Sequence, residues 1–300
     1  MEINDLIPQS FERWLTTLGY AKSTVYLSVH YINDFFFYLK SIDMTSLEQI
    51  QKATIEGYHK HLQTRPKKNQ AGGLSNNYIT SNINALKRFS CYLEQTGRTS
   101  LEISVKTTPD KQTIKTILTP WEVKALYKAC GSTGNTELAE VLGIRDKAIL
   151  SIYYGCGLRR SEGIALDVKD VMFKEKLLFV RGGKGYKERY VPMTETVGED
   201  FENYLSQARE TLINGSNTNE EGFLVSYRAK RMESNTLITR VQNLAAKAGI
   251  NKTVGLHILR HSIATHLLQS GLSLEEVSQF LGHSSLDSTQ IYTHISHEIT

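Results

Sequence analysis

One stretch near the C-terminus constrains this chain more than any other: residues 256–295, LHILRHSIATHLLQSGLSLEEVSQFLGHSSLDSTQIYTHI. Apolar residues recur there at helical spacing, first Ile258, Leu259, Ile263, Leu267 and Leu268, then Leu274, Val277, Phe280 and Leu281. His257 and Arg260 are three positions apart, so one helical turn sets both on one face. His283 follows the second helical run, and Tyr292 lies near the end of a third. An imidazole, a guanidinium and a phenol gathered in this way suit chemistry on a phosphate.

Three hundred residues are enough for two ordinary domains, each with its own core. No apolar run approaches the roughly 18 residues of a membrane span, and the first ten residues lack the pattern of a secretory signal. Cys91, Cys130 and Cys156 are scattered without metal-ligand spacing and read as reduced thiols of a cytoplasmic protein. The net charge of +4 permits nucleic-acid binding without demanding it. The basic excess falls on residues 1–107, with 12 Lys and Arg against 9 Asp and Glu. A DNA-binding surface must therefore come from sorting basic and acidic side chains onto different faces.

The first third of the chain reads as an all-helical unit. A short amphipathic helix is predicted over 3–18 and ended by Gly19. A second runs from a Ser23 cap to about Leu39, and a third covers 46–63. The loop 64–73 holds Arg65, Lys67 and Lys68, which either contact phosphates or are simply solvated. Ser75 caps a last helix, to about Gln95, that carries Lys87 and Arg88 as a second candidate contact pair. Residues 104–118 have no sustained apolar period and read as a linker.

Beyond it, Thr119-Pro120 opens a helix to about Ala129, and another is predicted over 142–154. Gly155 and Gly157 then allow a tight turn before Arg159 and Glu162, three positions apart. Residues 168–193 change to strand character, giving a three-stranded antiparallel sheet. Lys184 falls in a glycine-flanked turn between its second and third strands. Helices follow at 197–212 and 235–248.

These elements together resemble the tyrosine recombinase/integrase family, particularly its Xer-like site-specific recombinases. The resemblance rests on His257-x-x-Arg260, Leu281-Gly282-His283, the Thr289–Tyr292 lead-in, the turn Leu158-Arg159-x-x-Glu162 and the hairpin Lys184, all in family order. It implies a mainly α fold with a small antiparallel sheet. A helical core-binding (SAM-like), DNA-binding domain would occupy 1–106, a linker 107–117 and an α+β catalytic domain 118–300. It further implies catalytic roles for Arg159, Lys184, His257, Arg260, His283 and the nucleophile Tyr292, with Glu162 as an orienting carboxylate. Double-stranded DNA recombination sites would be the partner, bound by a tetramer of this chain or of this chain with a paralogue. The product would be a 3′-phosphotyrosyl link formed without metal or nucleotide cofactor. In two places the chain departs from the family pattern. Gly255-Leu256 stands where a Pro often precedes the motif His. Only eight residues follow Tyr292, where many members carry a longer helix that docks on a neighbouring subunit. Either the chain is truncated or its subunit coupling differs, with weaker tetramer cooperativity and retained cleavage expected.

Elementary chemistry fits those roles. A phenol with a pKa near 10 is ionised only about once in a thousand at pH 7, a deficit of roughly 4 kcal/mol. Tyr292 therefore needs cations or a base beside it. Arg159 and Arg260 could each donate paired hydrogen bonds to the non-bridging oxygens of a phosphate. Lys184 could protonate the leaving 5′ oxygen, with Lys187 a rival in the same loop. The His-rich end also invites a metal reading through His257 and His261 at i, i+4. No HExxH glutamate accompanies them, however, and Arg260 lies between. Two other functions share the pattern: a catalytically inactive, sequence-specific DNA-binding protein, and a type IB topoisomerase-like relaxing enzyme.

Overall fold

The computed structural model describes residues 3, 6–67, 72–106, 117–131, 136–182, 188–214, 216 and 220–282. Its backbone divides into two compact units, Met1–Lys115 and Thr116–Thr300.

In the first unit four helices enclose an aromatic core: α1 (Leu6–Thr17), α2 (Lys22–Ser41), α3 (Lys52–Thr64) and α4 (Asn76–Gln95). Phe11 meets the edge of Phe89 at 5.3 Å between ring centroids, and Phe35 packs on Tyr58 at 4.9 Å. Local signals set most of the ends. Ser75 Oγ accepts from the backbone N–H of Tyr78, and Gly97, with φ +67, stops the chain after α4. Three sequence expectations shift. The first helix is shorter than 3–18, leaving Leu18 53% exposed beyond its end. Ala21, not Ser23, is the N-cap of α2. The region 46–63 is broken at Ile50, where a single 3₁₀ turn (Leu47–Gln49) gives way to α3.

The second unit opens with α5 (Pro120–Cys130), fixed by a reciprocal cap in which Thr119 N–H donates to Glu122 and Glu122 N–H to Thr119 Oγ1. Next is α6 (Glu137–Leu150), which starts earlier than residue 142 because Thr136 caps it. Within it Gly143 makes room for the Cys130 carbonyl, which a Cβ there would strike. At Ser151–Gly155 the helix widens to i→i+5 hydrogen bonding, with Cys156 N–H donating to Ser151 O at 2.8 Å. The chain then turns into α7 (Arg160–Ala165).

The sheet comprises β1 (Val171–Met172), β2 (Leu177–Val180) and β3 (Arg189–Pro192) in the order β1-β2-β3, all antiparallel as expected. Val180 pairs with Arg189, so the β2–β3 connection brackets residues 181–188. Helices α8 (Glu195–Asn203) and α9 (Glu210–Ile213) are joined through a second widened turn at Tyr204–Arg209, and α10 (Ser234–Lys247) follows. The unit closes with α11 (Leu256–Gln269) and α12 (Leu274–Leu281). Ile258 and Leu259 of α11 belong to the main core of this unit, whereas Ala264 packs with Val277 and Leu281 of α12 in a separate small cluster. Leu118 N–H donates to Ser262 Oγ at 2.9 Å, tying the start of the unit to α11. No described helix is long and apolar enough to cross a membrane.

Candidate active site

The turn between the widened end of α6 and α7 is shaped by Gly157, which sits at φ +59. A Cβ there would stand 2.9 Å from Leu281 Cδ2 and 3.0 Å from Phe280 Cε1. Glycine thus lets the end of α12 close on the turn while avoiding the left-handed penalty of an L side chain. Arg159 then occupies the N-cap position of α7, and its backbone N–H donates to Glu162 Oε2 at 2.7 Å.

Two distant arginines join this turn. Arg260 projects from α11 into the interior and is only 7% exposed. Its guanidinium donates to the Gly157 carbonyl and, at 2.8 Å, to Leu281 O. Arg189 comes from β3, where it shares the inward face with Val191. It makes a bidentate pair with Glu162 at 3.0 and 3.0 Å, and its Nε donates to Phe280 O at 3.3 Å. Arg159 completes the set, with Nη1 on Glu162 at 2.8 Å and Nη2 on Gly282 O at 2.7 Å.

The C-terminal end of α12 is therefore capped by guanidiniums. Carbonyls 280, 281 and 282 lie at the C-terminal end of α12, the negative end of its dipole, so cations are favoured there. Glu162 is the carboxylate shared by all three arginines, with Arg260 the most distant at 3.9 Å. Burial opposes its ionisation. The Arg189 hydrogen bonds, the Arg159 backbone N–H and the neighbouring positive charges overcome that and hold its carboxyl at about 2. Among the described residues, three guanidiniums face one carboxylate, which leaves this cluster cationic.

His257 lies in the first turn of α11 and is exposed, whereas Arg260, one turn later, is buried. The expected common face thus splits, with one side chain at the surface and the other beneath it. The His257 ring edge stands 3.3 Å from where a Cβ on Gly255 would be, so any other residue there would crowd the imidazole. Its ring meets that of His261 edge-on at 6.1 Å. Lys184, His283 and Tyr292 fall outside the described residues. Other tyrosines have plain structural places: Tyr153 is buried with its hydroxyl on Arg160 O at 3.3 Å, and Tyr190 is 57% exposed.

The candidate DNA contacts of the first unit are of two kinds. Lys67 and Lys87 are exposed, and Arg88 lies 5.9 Å from the centre of the Tyr20 ring. Arg65, expected to reach outward, makes a bidentate pair with Asp34 at 2.8 and 2.8 Å and braces its loop against α2. Lys68 is outside the described residues. Arg189 was missed by sequence reasoning. The available signal was an arginine in the inward register of a short strand, where a charge requires a buried partner.

The Phage integrase family pattern matches residues 116–298, spanning the whole described part of this site. The chain belongs to that family, and so is a tyrosine-type site-specific recombinase, an enzyme that cuts and rejoins DNA strands. Within the family it is Xer-like. It is 34% identical to tyrosine recombinase XerD of Oceanobacillus iheyensis over 263 residues, 86% of this chain and 83% of that one. Similarity to XerC of the same organism is 33% over 225 residues, covering 74% of this chain and 72% of the relative. The crystal structure of XerA recombinase covers 98% of this chain and 96% of its own, at 28% identity and a TM-score of 0.53. XerH, crystallised on a palindromic difH substrate after cleavage, shares the fold with a TM-score of 0.75 at 19% identity, over 98% of this chain and 93% of that chain.

Proposed function

We propose that Tyr292 attacks a phosphorus of duplex DNA, forming a 3′-phosphotyrosyl link and releasing a 5′ hydroxyl. Arg159 and Arg260 hold the non-bridging oxygens, His257 and His283 assist proton movement and phosphate binding, and Lys184 protonates the leaving oxygen. Glu162 orients the arginines. The link keeps the bond energy, so a 5′ hydroxyl from a second strand reverses the reaction onto a new partner. Neither metal nor nucleotide is consumed in this scheme.

The observation that carries the reading is the cationic cluster at the end of α12, built from residues on α11, β3 and the α7 turn. In-line attack concentrates negative charge on the equatorial oxygens, and a preorganised donor there is worth about 10²–10³ in rate. The chain continues directly from Gly282, at that cluster, into His283 and on to Tyr292.

In the fuller scheme residues 1–106 form the core-binding domain, with Lys67, Lys68, Lys87 and Arg88 on phosphates. Four subunits, of this chain alone or with a paralogue, act on two recombination sites in the cytoplasm. Arg65 serves this surface indirectly, as a brace.

The test uses a nicked duplex carrying a site that this chain has selected from a randomised pool. Loss of the short strand past the nick traps the adduct. Wild type is expected to accumulate a denaturation-resistant protein–DNA band and Tyr292→Phe none. Equal trapping by the Phe variant removes Tyr292 from the role. Tight binding with no adduct from wild type points instead to an architectural DNA-binding protein.

A further inference from the structure

We propose that Arg189 is a positioning residue for strand cleavage: it clamps the last turn of α12 to Glu162, and so fixes the point from which the chain departs toward His283 and Tyr292. The proposal rests on the catalytic reading of Arg159 and Arg260 given above.

Three contacts make the clamp. The guanidinium grips both oxygens of Glu162, at 3.0 Å each. Its Nε donates to the Phe280 carbonyl at 3.3 Å. Its side chain also lies flat on Gly282, where a Cβ would stand 2.7 Å from Arg189 Cδ, Nε and Nη1. Gly282 is left-handed, at φ +65 and ψ 50, and ends α12. The arginine therefore occupies space that only glycine at 282 leaves open.

The side chains of Arg189 and Glu162 are 10% and 8% exposed, so neither can swing out to water without a loss. Glu162 is also the partner of Arg159. With Arg189 in place the carboxylate is gripped from β3 at both oxygens, and Arg159, at the start of α7, donates to one of them. Without Arg189, Glu162 would be drawn toward Arg159 and Arg260 and would neutralise the charge proposed to meet phosphate. The last turn of α12 would also lose one of its three guanidinium caps. Because β3 begins at Arg189, the same residue ties the base of the hairpin containing Lys184 to the end of α12. One side chain thus joins the start of β3 to the last turn of α12.

Arg189→Lys keeps the charge but cannot make the two-pronged pair. In the full-length chain, on the selected nicked duplex, its Kd is expected to stay within about two-fold of wild type. Its single-turnover cleavage rate should fall about 10–100-fold, the scale of a small misplacement of reacting groups. A purely structural role would lower the amplitude of cleavage by reducing the folded fraction and leave the rate constant unchanged. The double variant Arg189→Lys/Glu162→Gln should be about as slow as the slower single variant, because the effect of Arg189 on Arg159 passes through Glu162. Amide exchange at residues 278–282, measured without DNA, should quicken in Arg189→Lys. Wild-type cleavage rates in Arg189→Lys, or multiplied losses in the double variant, overturn the proposal. If wild type itself forms no adduct, the catalytic reading falls, and unchanged exchange at 278–282 would then remove the clamp as well.

Discussion

Replacing Glu162 by Gln removes one charge at nearly constant volume from the centre of the arginine cluster. In the folded chain its carboxyl is held at about 2 instead of 4.5. That difference corresponds to on the order of 3 kcal/mol of folding stability. A group with a depressed folded pKa contributes fully above its unfolded pKa and loses that contribution as the pH falls through the folded one. The contribution is therefore complete above about pH 5, about half remains near pH 3, and little survives below pH 2. Urea unfolding of the full chain, followed by far-UV circular dichroism at several pH values, reads this directly. With a denaturant slope of about 2 kcal/mol/M for the C-terminal transition, Glu162→Gln should shift its midpoint down by about 1.5 M at pH 7. The gap between variant and wild type should halve near pH 3, while carboxylates elsewhere titrate equally in both proteins. A gap that is absent at pH 7, or unchanged between pH 7 and pH 3, would refute the view that Glu162 is the ionised hub of the cluster.

Three further outcomes test other parts of the structure. Gly157→Ala forces an L residue to φ +59 and a Cβ to within 2.9 Å of Leu281, so stability should drop by about 1–3 kcal/mol and cleavage should slow; equal stability by urea titration would contradict the packing. Burial pushes the thiols of Cys130 and Cys156 up to about 12, whereas Cys91 is exposed, so a thiol reagent should label one cysteine quickly in native protein and all three in denaturant. Lys87→Ala should reduce the slope of log K against log salt for duplex binding by about 1, while Asp34→Asn should leave that slope unchanged and destabilise the first unit by about 1 kcal/mol, a contrast that binding and unfolding titrations at several salt concentrations would show.

Much of this molecule is written in short stretches of sequence. Ser75, Thr119 with Glu122, and Ser273 with Glu276 mark helix starts because a side chain and a backbone N–H within one turn meet wherever that helix packs. The three strands were legible for the same reason, since their turns and alternation are local. So was the pairing of Arg159 with Glu162, three residues apart at the start of α7. Less was visible where a local signal was weak. Ser23 looked like a cap, but α2 begins two residues sooner, from Ala21, which lacks a capping side chain.

The sequence alone determined which residues could do phosphate chemistry and the order in which they lie along the chain. Only tertiary structure decided that Arg189 joins them, that Arg65 turns inward to Asp34, and that Arg260 is buried while His257 is exposed. Each of these is the answer to a buried or half-buried charge finding its partner, and the partners lie 27, 31 and 21 residues away in the chain, at Glu162, Asp34 and Leu281. A cap is satisfied within a turn and can be read from neighbours. A guanidinium withdrawn from water must be satisfied by whatever the packing brings to it, and that is fixed only when α7, β3, α11 and the end of α12 come together.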